Sequence, residues 1–568
     1  MARALKWFLL LSFISLVSGF VLIALALVIG PGVPQKSVLH LRFAGRLRET
    51  AEPDLFSMLK TDKPVSLATV TDSVRRAAHD DRVVGLILDV RAPEVGMTDV
   101  QAIAQAMETF RAAGKWNVGF LETAGEFDRG DAAYGLATAA DTVVLSPPGD
   151  VNLVGLRAEV PFLKGTLERL RLQVHVDKRY EFKNAPNSLT ESKMTAPHRE
   201  ALRALVDDIQ EDLTLHLATR RKVPVETVAE WYAAGPFTAD EAAKKGLVDQ
   251  LGYFDSVLAE AEKVAGREQP LIELGAYAAS GQLHHRGPEV ALIYADGEIM
   301  RGESGGGDSP TAGSDTLTQA FRDARQAEVK GVLFRINSPG GSYVASDLVR
   351  REIEVTRAAG VPVVVSMGSL AASGGYFMAI GADRIFAESA TITGSIGVFA
   401  VSLGARAFFE HWLGVTFDSY DATPNADFFS QLDPPAAARK ARMGTFLDRI
   451  YEDFVTKTAA GRNLAHDAVD KVAHGRVWSG RAAKRLGLVD EVGDSEAALT
   501  ALKGLIGVGA DAEVSLQVFP KPKSPLALLS EILDESARVL AWSKSGARLA
   551  SEVGAGPMLR MPWIFDVH

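Results

Sequence analysis

The chain is written twice, and that duplication limits its fold more than any other feature. Gly85-Leu86-Ile87-Leu88-Asp89-Val90 and the later Arg111-Ala112-Ala113-Gly114 return as Gly331-Val332-Leu333-Phe334-Arg335-Ile336 and Arg357-Ala358-Ala359-Gly360 (331 against 85 and 357 against 111, an offset of 246 in both). Ala140-Asp141 through Gly155 matches Ala382-Asp383 through Gly397, and the block from Ala242 to Asp249 matches that from Ala482 to Asp490. Three matched blocks in one order describe a domain and its copy. Within the second copy, the short β-branched runs Val290 to Tyr294, Val332 to Ile336 and Val361 to Ser366 read as buried strands. The amphipathic stretches Asp315 to Gln326 and Ser346 to Ala359 read as the helices between them. Strand and helix in alternation mean crossover connections and a largely parallel sheet, so the fold class is α/β.

The duplication divides the 568 residues into an N-terminal segment 1–36, a first copy 37–265, a polar, breaker-rich linker 266–289, a second copy 290–510 and a tail 511–568. Trp7 to Gly30 carries no charge before Pro31-Gly32-Val33-Pro34, long enough to span about 30 Å of hydrocarbon as one helix. A cleaved signal is the rival reading. Its apolar region is usually shorter, about 7–15 residues, so the stretch reads as an uncleaved transmembrane anchor. Arg3 and Lys6 precede it and keep that end in the cytoplasm, which puts both copies outside. The glycine-rich Arg301 to Ser314 lacks the Gly-Lys-Ser/Thr ending of a phosphate loop and reads as a flexible loop. The tail holds an amphipathic segment, Leu526 to Trp542, and an apolar one, Pro557 to Phe565.

Composition then removes whole chemistries. There is no cysteine, which excludes disulfides, thiolate metal sites and a thiol nucleophile, and a net charge of -10 argues against nucleic acid as a partner. The chemistry is to be sought where the copies diverge. After its third strand the second copy reads Ala371-Ala372-Ser373-Gly374-Gly375-Tyr376, and Asp131 stands opposite Ser373 in the first. A serine at a strand-to-helix turn, flanked by small residues, is placed as an acyl-transfer nucleophile. It could equally be a plain helix cap. Asn337-Ser338-Pro339-Gly340-Gly341-Ser342 sits one crossover earlier, so the N–H groups of Gly341 and Gly374 can form an oxyanion hole. No histidine falls beside a strand end of the second copy. A buried lysine is the other known base for serine, and Lys183, in Tyr180-Glu181-Phe182-Lys183-Asn184-Ala185-Pro186, is one of several candidates.

With Asn337-Ser338-Pro339-Gly340-Gly341, Ala371 to Tyr376 and Thr391-Ile392-Thr393-Gly394-Ser395-Ile396-Gly397, the chain resembles the long, tandem-repeat signal peptide peptidases of the S49 serine peptidase family. That resemblance covers nearly the whole length. It implies two tandem Clp protease/crotonase-like domains behind one transmembrane helix. It also implies Ser373 as nucleophile, Lys183 as base and Ser395 as the hydroxyl that holds and orients the base. The family has a small hydroxyl residue after its lysine and this chain has Asn184, so Lys178 and Lys193 stand as alternatives. The resemblance further implies remnant signal peptides as substrates, no cofactor or metal, a homo-oligomer, a tetramer, and a place in the bacterial inner membrane with the copies on the periplasmic side. An acyl-CoA enzyme of the crotonase type and an inactive exported scaffold are the rival functions.

Overall fold

The computed structural model describes residues 32–49, 66–281, 285–306, 309–521 and 558–560. The expected anchor at 7–30 lies outside them, and among the described residues no helix is long and apolar enough to cross a membrane.

The two copies share a six-stranded parallel sheet, which the second extends with Ile392–Gly394 and the antiparallel Val477–Ser479. In the first, the strands lie in the order Gln250–Leu251, Thr142–Leu145, Trp116–Leu121, Val83–Glu94, Ser37–Arg46 and Leu271–Glu273, every neighbouring pair parallel. In the second, Glu491–Val492, Arg384–Ala387, Val363–Ala372, Gly331–Ser338, Glu289–Asp296 and Ser515–Phe519 repeat that order, again all parallel. Both faces are covered, which is why the strands read as unbroken apolar runs. Val332, Phe334 and Ile336 pack on the side of helices Ser314–Gln326 and Tyr343–Ala358, while Leu333 packs with Leu499 and Leu502 of helix Ser495–Leu505 on the other.

Two expected boundaries move, and one expected loop carries a strand. Leu271–Glu273, inside the expected linker, is the edge strand of the first sheet, and the helix Leu274–Ala279 after it buries Leu274 and Tyr277. Ser515–Phe519, expected as tail, is the matching edge strand of the second sheet. Each copy thus ends by returning to the flank of its own first strand, with a strand too short to show a period of two. Within the expected flexible loop, Thr311–Gly313 pairs with Glu298–Met300, and Ile299 in turn pairs with Gly341.

The copies grip each other. Gln173–Lys178 of the first runs antiparallel to Phe399–Gly404 of the second, from Lys178 opposite Phe399 to Gln173 opposite Gly404. Glu49 pairs with the buried Arg335, and Arg75 with Asp494. Arg481 reaches Asp208, Glu211 and Asp212 on the long helix Ala196–Arg221, which Thr195 caps by accepting the His198 N–H at 3.3 Å.

Candidate active site

The buried strand Val363–Ala372 feeds directly into Ser373, which opens the short helix Gly374–Ala379. Ser373 has φ 55° and ψ −114°, a conformation that residues with a Cβ rarely adopt. Two bonds hold it there: its N–H donates to Gly394 O at 2.8 Å, and its carbonyl accepts from Phe377 N at 2.8 Å. The glycines that follow are steric necessities. A Cβ on Gly374 would stand 2.6 Å from Ser346 Oγ and 3.2 Å from Gly341 N, and one on Gly375 would stand 3.0 Å from Ser338 O. The backbones of Gly341 and Gly374 are therefore neighbours. Gly340 N–H is directed to Ser338 Oγ at 3.2 Å.

Lys183 enters from the first copy on a loop that the second copy fixes. Arg179 N–H donates to Val398 O at 3.0 Å, its guanidinium donates to Gly444 O at 2.6 Å and pairs with Asp448, and Tyr180 stacks on His474 with ring centroids 4.0 Å apart. The lysine is fully buried. Its Nζ lies 2.9 Å from Ser373 Oγ, 2.9 Å from Ser395 O and 3.0 Å from Ser395 Oγ.

Those three contacts are informative about the proton. Ser395 Oγ is 3.4 Å from Gly475 O and directs its own hydrogen there, so towards Nζ it presents a lone pair. The carbonyl of Ser395 can only accept. A neutral amine has two N–H donors and one lone pair. Both donors are then used on Ser395, and the lone pair faces the Ser373 hydroxyl. Burial drives the Lys183 pKa well below its ordinary value, because burial penalises the charged form and no carboxylate opposes it. A neutral amine in line with a serine hydroxyl can take that hydroxyl's proton.

The rival lysines go elsewhere. Lys178 Nζ donates to Asn187 Oδ1 at 2.9 Å, and Lys193 is exposed. Among the described residues, no other lysine has a hydrogen bond to Ser373. In the first copy, Asp131 occupies the equivalent turn and accepts from Gly155 N at 2.9 Å. Burial pushes its carboxyl up.

One contributor escapes a reading of motifs. Gly475 has φ 81°, and a Cβ there would stand 2.6 Å from the N, Cα and Cβ atoms of Lys183. Its carbonyl orients Ser395, and its N–H donates to Ile396 O at 2.7 Å. The repeat gives no signal for it: the helix caps Lys222 and Asn463 and the helix starts Ala239 and Gly480 align at an offset of 241, which puts Ala234 opposite Gly475.

The model of the peptidase family S49 matches residues 128–268 and 356–509, one region in each copy. The chain belongs to peptidase family S49. It is 32% identical to Protease 4 of Salmonella typhi over 76% of this chain and 71% of that one. It is 30% identical to Protease 4 of Haemophilus influenzae over 84% and 79%. A chloroplastic serine protease of Arabidopsis thaliana is 27% identical over 87% and 73%. Among solved structures, a ClpP1 variant from Listeria monocytogenes is 15% identical, covering 37% of this chain and 94% of its own, with a TM-score of 0.24. As a member of family S49 the protein is a serine peptidase, a hydrolase, and the family's domain occurs in it twice.

Proposed function

We propose that this S49 peptidase is an endopeptidase in which Ser373 is the nucleophile and Lys183 its general base. The observation that carries the reading is the buried Nζ 2.9 Å from Ser373 Oγ with its other two contacts both acceptors. Lys183 takes the proton as Ser373 Oγ attacks the scissile carbonyl. The N–H groups of Gly341 and Gly374 receive the oxyanion. Collapse breaks the C–N bond, the lysine gives its proton to the leaving amine, and an acyl-enzyme remains on Ser373. Water, deprotonated by the same amine, hydrolyses that ester and frees Ser373. Ser395 holds Nζ in line throughout.

The substrates in this reading are extended apolar peptides, remnant signal peptides among them. The uncharged run Trp7 to Gly30 supports an anchor in the bacterial inner membrane with both copies on its outer side, and resemblance to the family supports a homo-oligomer, a tetramer. The test is cleavage of an internally quenched apolar peptide by the full chain in detergent. Ser373→Ala and Lys183→Ala should each lower kcat by at least about 10³-fold, in the range that loss of a nucleophile or base costs. Near-normal turnover by either variant refutes the role of that residue.

A further inference from the structure

Lys183 is abutted from the second copy by Gly475, and in its own copy its loop is tied by a buried amide, that of Asn187. Asn187 opens the short helix Asn187–Thr190 and is 2% exposed. Its Oδ1 accepts from Lys178 Nζ at 2.9 Å. Its Nδ2 donates to Asn184 Oδ1 at 3.0 Å, and its backbone N–H donates to Asn184 O at 3.0 Å. The ammonium of Lys178 can only donate, which fixes the sense of the amide, with its oxygen towards Lys178 and its nitrogen towards Asn184. The same Nδ2 lies 3.5 Å from Thr195 Oγ1, the hydroxyl that caps the long helix Ala196–Arg221.

These bonds close the loop that carries the base. Lys178 is the last residue of the strand Gln173–Lys178, which pairs with Phe399–Gly404 of the second copy, and Asn184 directly follows Lys183. Asn187 therefore joins the fixed end of that strand to the residue beside the base. A lysine has a long, flexible stem, so Nζ stays 2.9 Å from Ser373 Oγ only while the backbone that bears it stays in place. A catalytic group has to be held within about 0.5 Å of its working position by the residues behind it. From the second copy that support is Gly475, and from the first it is Asn184, itself buried and bonded through side chain and backbone to Asn187. An amide–amide bond is not open to the small hydroxyl residue that the family has after its lysine, so the linkage belongs to this chain's version of the loop.

We propose that Asn187 is a positioning residue: by tying Lys178 to Asn184 it fixes the backbone of Lys183 and so keeps Nζ in line with Ser373. The inference rests on the proposed function in one respect, that Lys183 is the base. With the tie cut, the loop opens locally, Nζ is in line for a smaller fraction of the time, and water reaches the amine.

The experiment uses the full chain in detergent and an internally quenched apolar peptide, and cuts the tie at three separate points, Asn187→Leu, Asn184→Ala and Lys178→Met, so that a variant that fails to fold does not end the test. Each should lower kcat about tenfold or more, with KM within about twofold. Each should also move the acidic limb of the kcat–pH profile up by about half a pH unit or more, as water admitted to the amine restores part of its ordinary pKa. A merely structural role would lower the urea midpoint and the fraction of active chain, while kcat per site titrated with an irreversible serine reagent and the pH limb both stay at the parent's values; that result overturns the proposal, and so does a loss of kcat with the limb unmoved. A second readout needs no turnover. Lys183 is fully buried in the parent, and its acetylation by acetic anhydride, read by mass spectrometry, should be about fivefold faster or more once the tie is cut. If Lys183→Ala is inactive, the kinetics decide. If it turns over normally, the proposed function falls and the labelling alone judges the tie: faster acetylation upholds it, and the parent's rate overturns it.

Discussion

Replacing Lys183 by methionine should abolish peptide cleavage and stabilise the fold at neutral pH, and the size of that gain should depend on pH in a way that reports the proton. Lys183 is fully buried with a pKa driven far down by burial. Below the ordinary lysine value of about 10.4, the unfolded chain therefore binds a proton that the folded chain refuses. That mismatch destabilises the fold by about 1.4 kcal/mol for each pH unit below 10.4 over which the buried amine stays neutral, or about 4 kcal/mol three units down. Stability from this group accordingly rises with pH and is complete only above the unfolded value. Lys183→Met removes the mismatch and fills a similar volume. Its cost is the Ser395 carbonyl, left without its donor at 2.9 Å, about 1–3 kcal/mol. The variant should be more stable than the parent by about 1–3 kcal/mol near pH 7, and the difference should shrink by about 1.4 kcal/mol per unit towards pH 9. Urea denaturation of both chains at pH 7, 8 and 9 measures it, with all other titrations cancelling in the difference. A difference that stays flat across those three pH values would mean the amine keeps its proton in the fold, and would sink the general-base argument with it.

Other consequences are more direct. Cleavage should rise with pH through the lowered lysine pKa, because only the neutral amine accepts a proton; kcat/KM that falls as the pH rises would contradict this. Ser395→Ala removes one of the two acceptors that aim Nζ, and kcat should fall about 10-fold or more with KM little changed. Gly475→Ala forces a Cβ within 2.6 Å of the Lys183 backbone at a positive φ, so kcat should collapse and stability drop by about 1–3 kcal/mol, while the same substitution at Gly504, where a Cβ would meet nothing, should leave kcat unaltered. Glu49→Ala leaves the buried Arg335 without its carboxylate and should cost about 3–5 kcal/mol by chemical denaturation.

The sequence carries the repeat, the sheet type and the Ser373 turn for a common reason: each is enforced locally. Ser373 is legible because the turn that displays it admits no side chain at Gly374 or Gly375, and the steric demand is written as Ser-Gly-Gly. The closing strands Leu271–Glu273 and Ser515–Phe519 are not legible, since three to five residues on a sheet edge are held by pairing with a distant partner and carry no period of their own. Lys183 falls between these cases. Nothing near it in sequence distinguishes it from Lys178, for what selects it is supplied from 190 and 212 residues away, by Ser373 and Ser395. That separation also says why both copies persist in one chain. The first keeps the amine and the second keeps the two hydroxyls, and desolvation lowers the lysine pKa only once the docked copies have sealed the amine from water. The proposed reaction therefore depends on the contact between the copies as much as on either copy, and Asp131 stands in the first where Ser373 stands in the second.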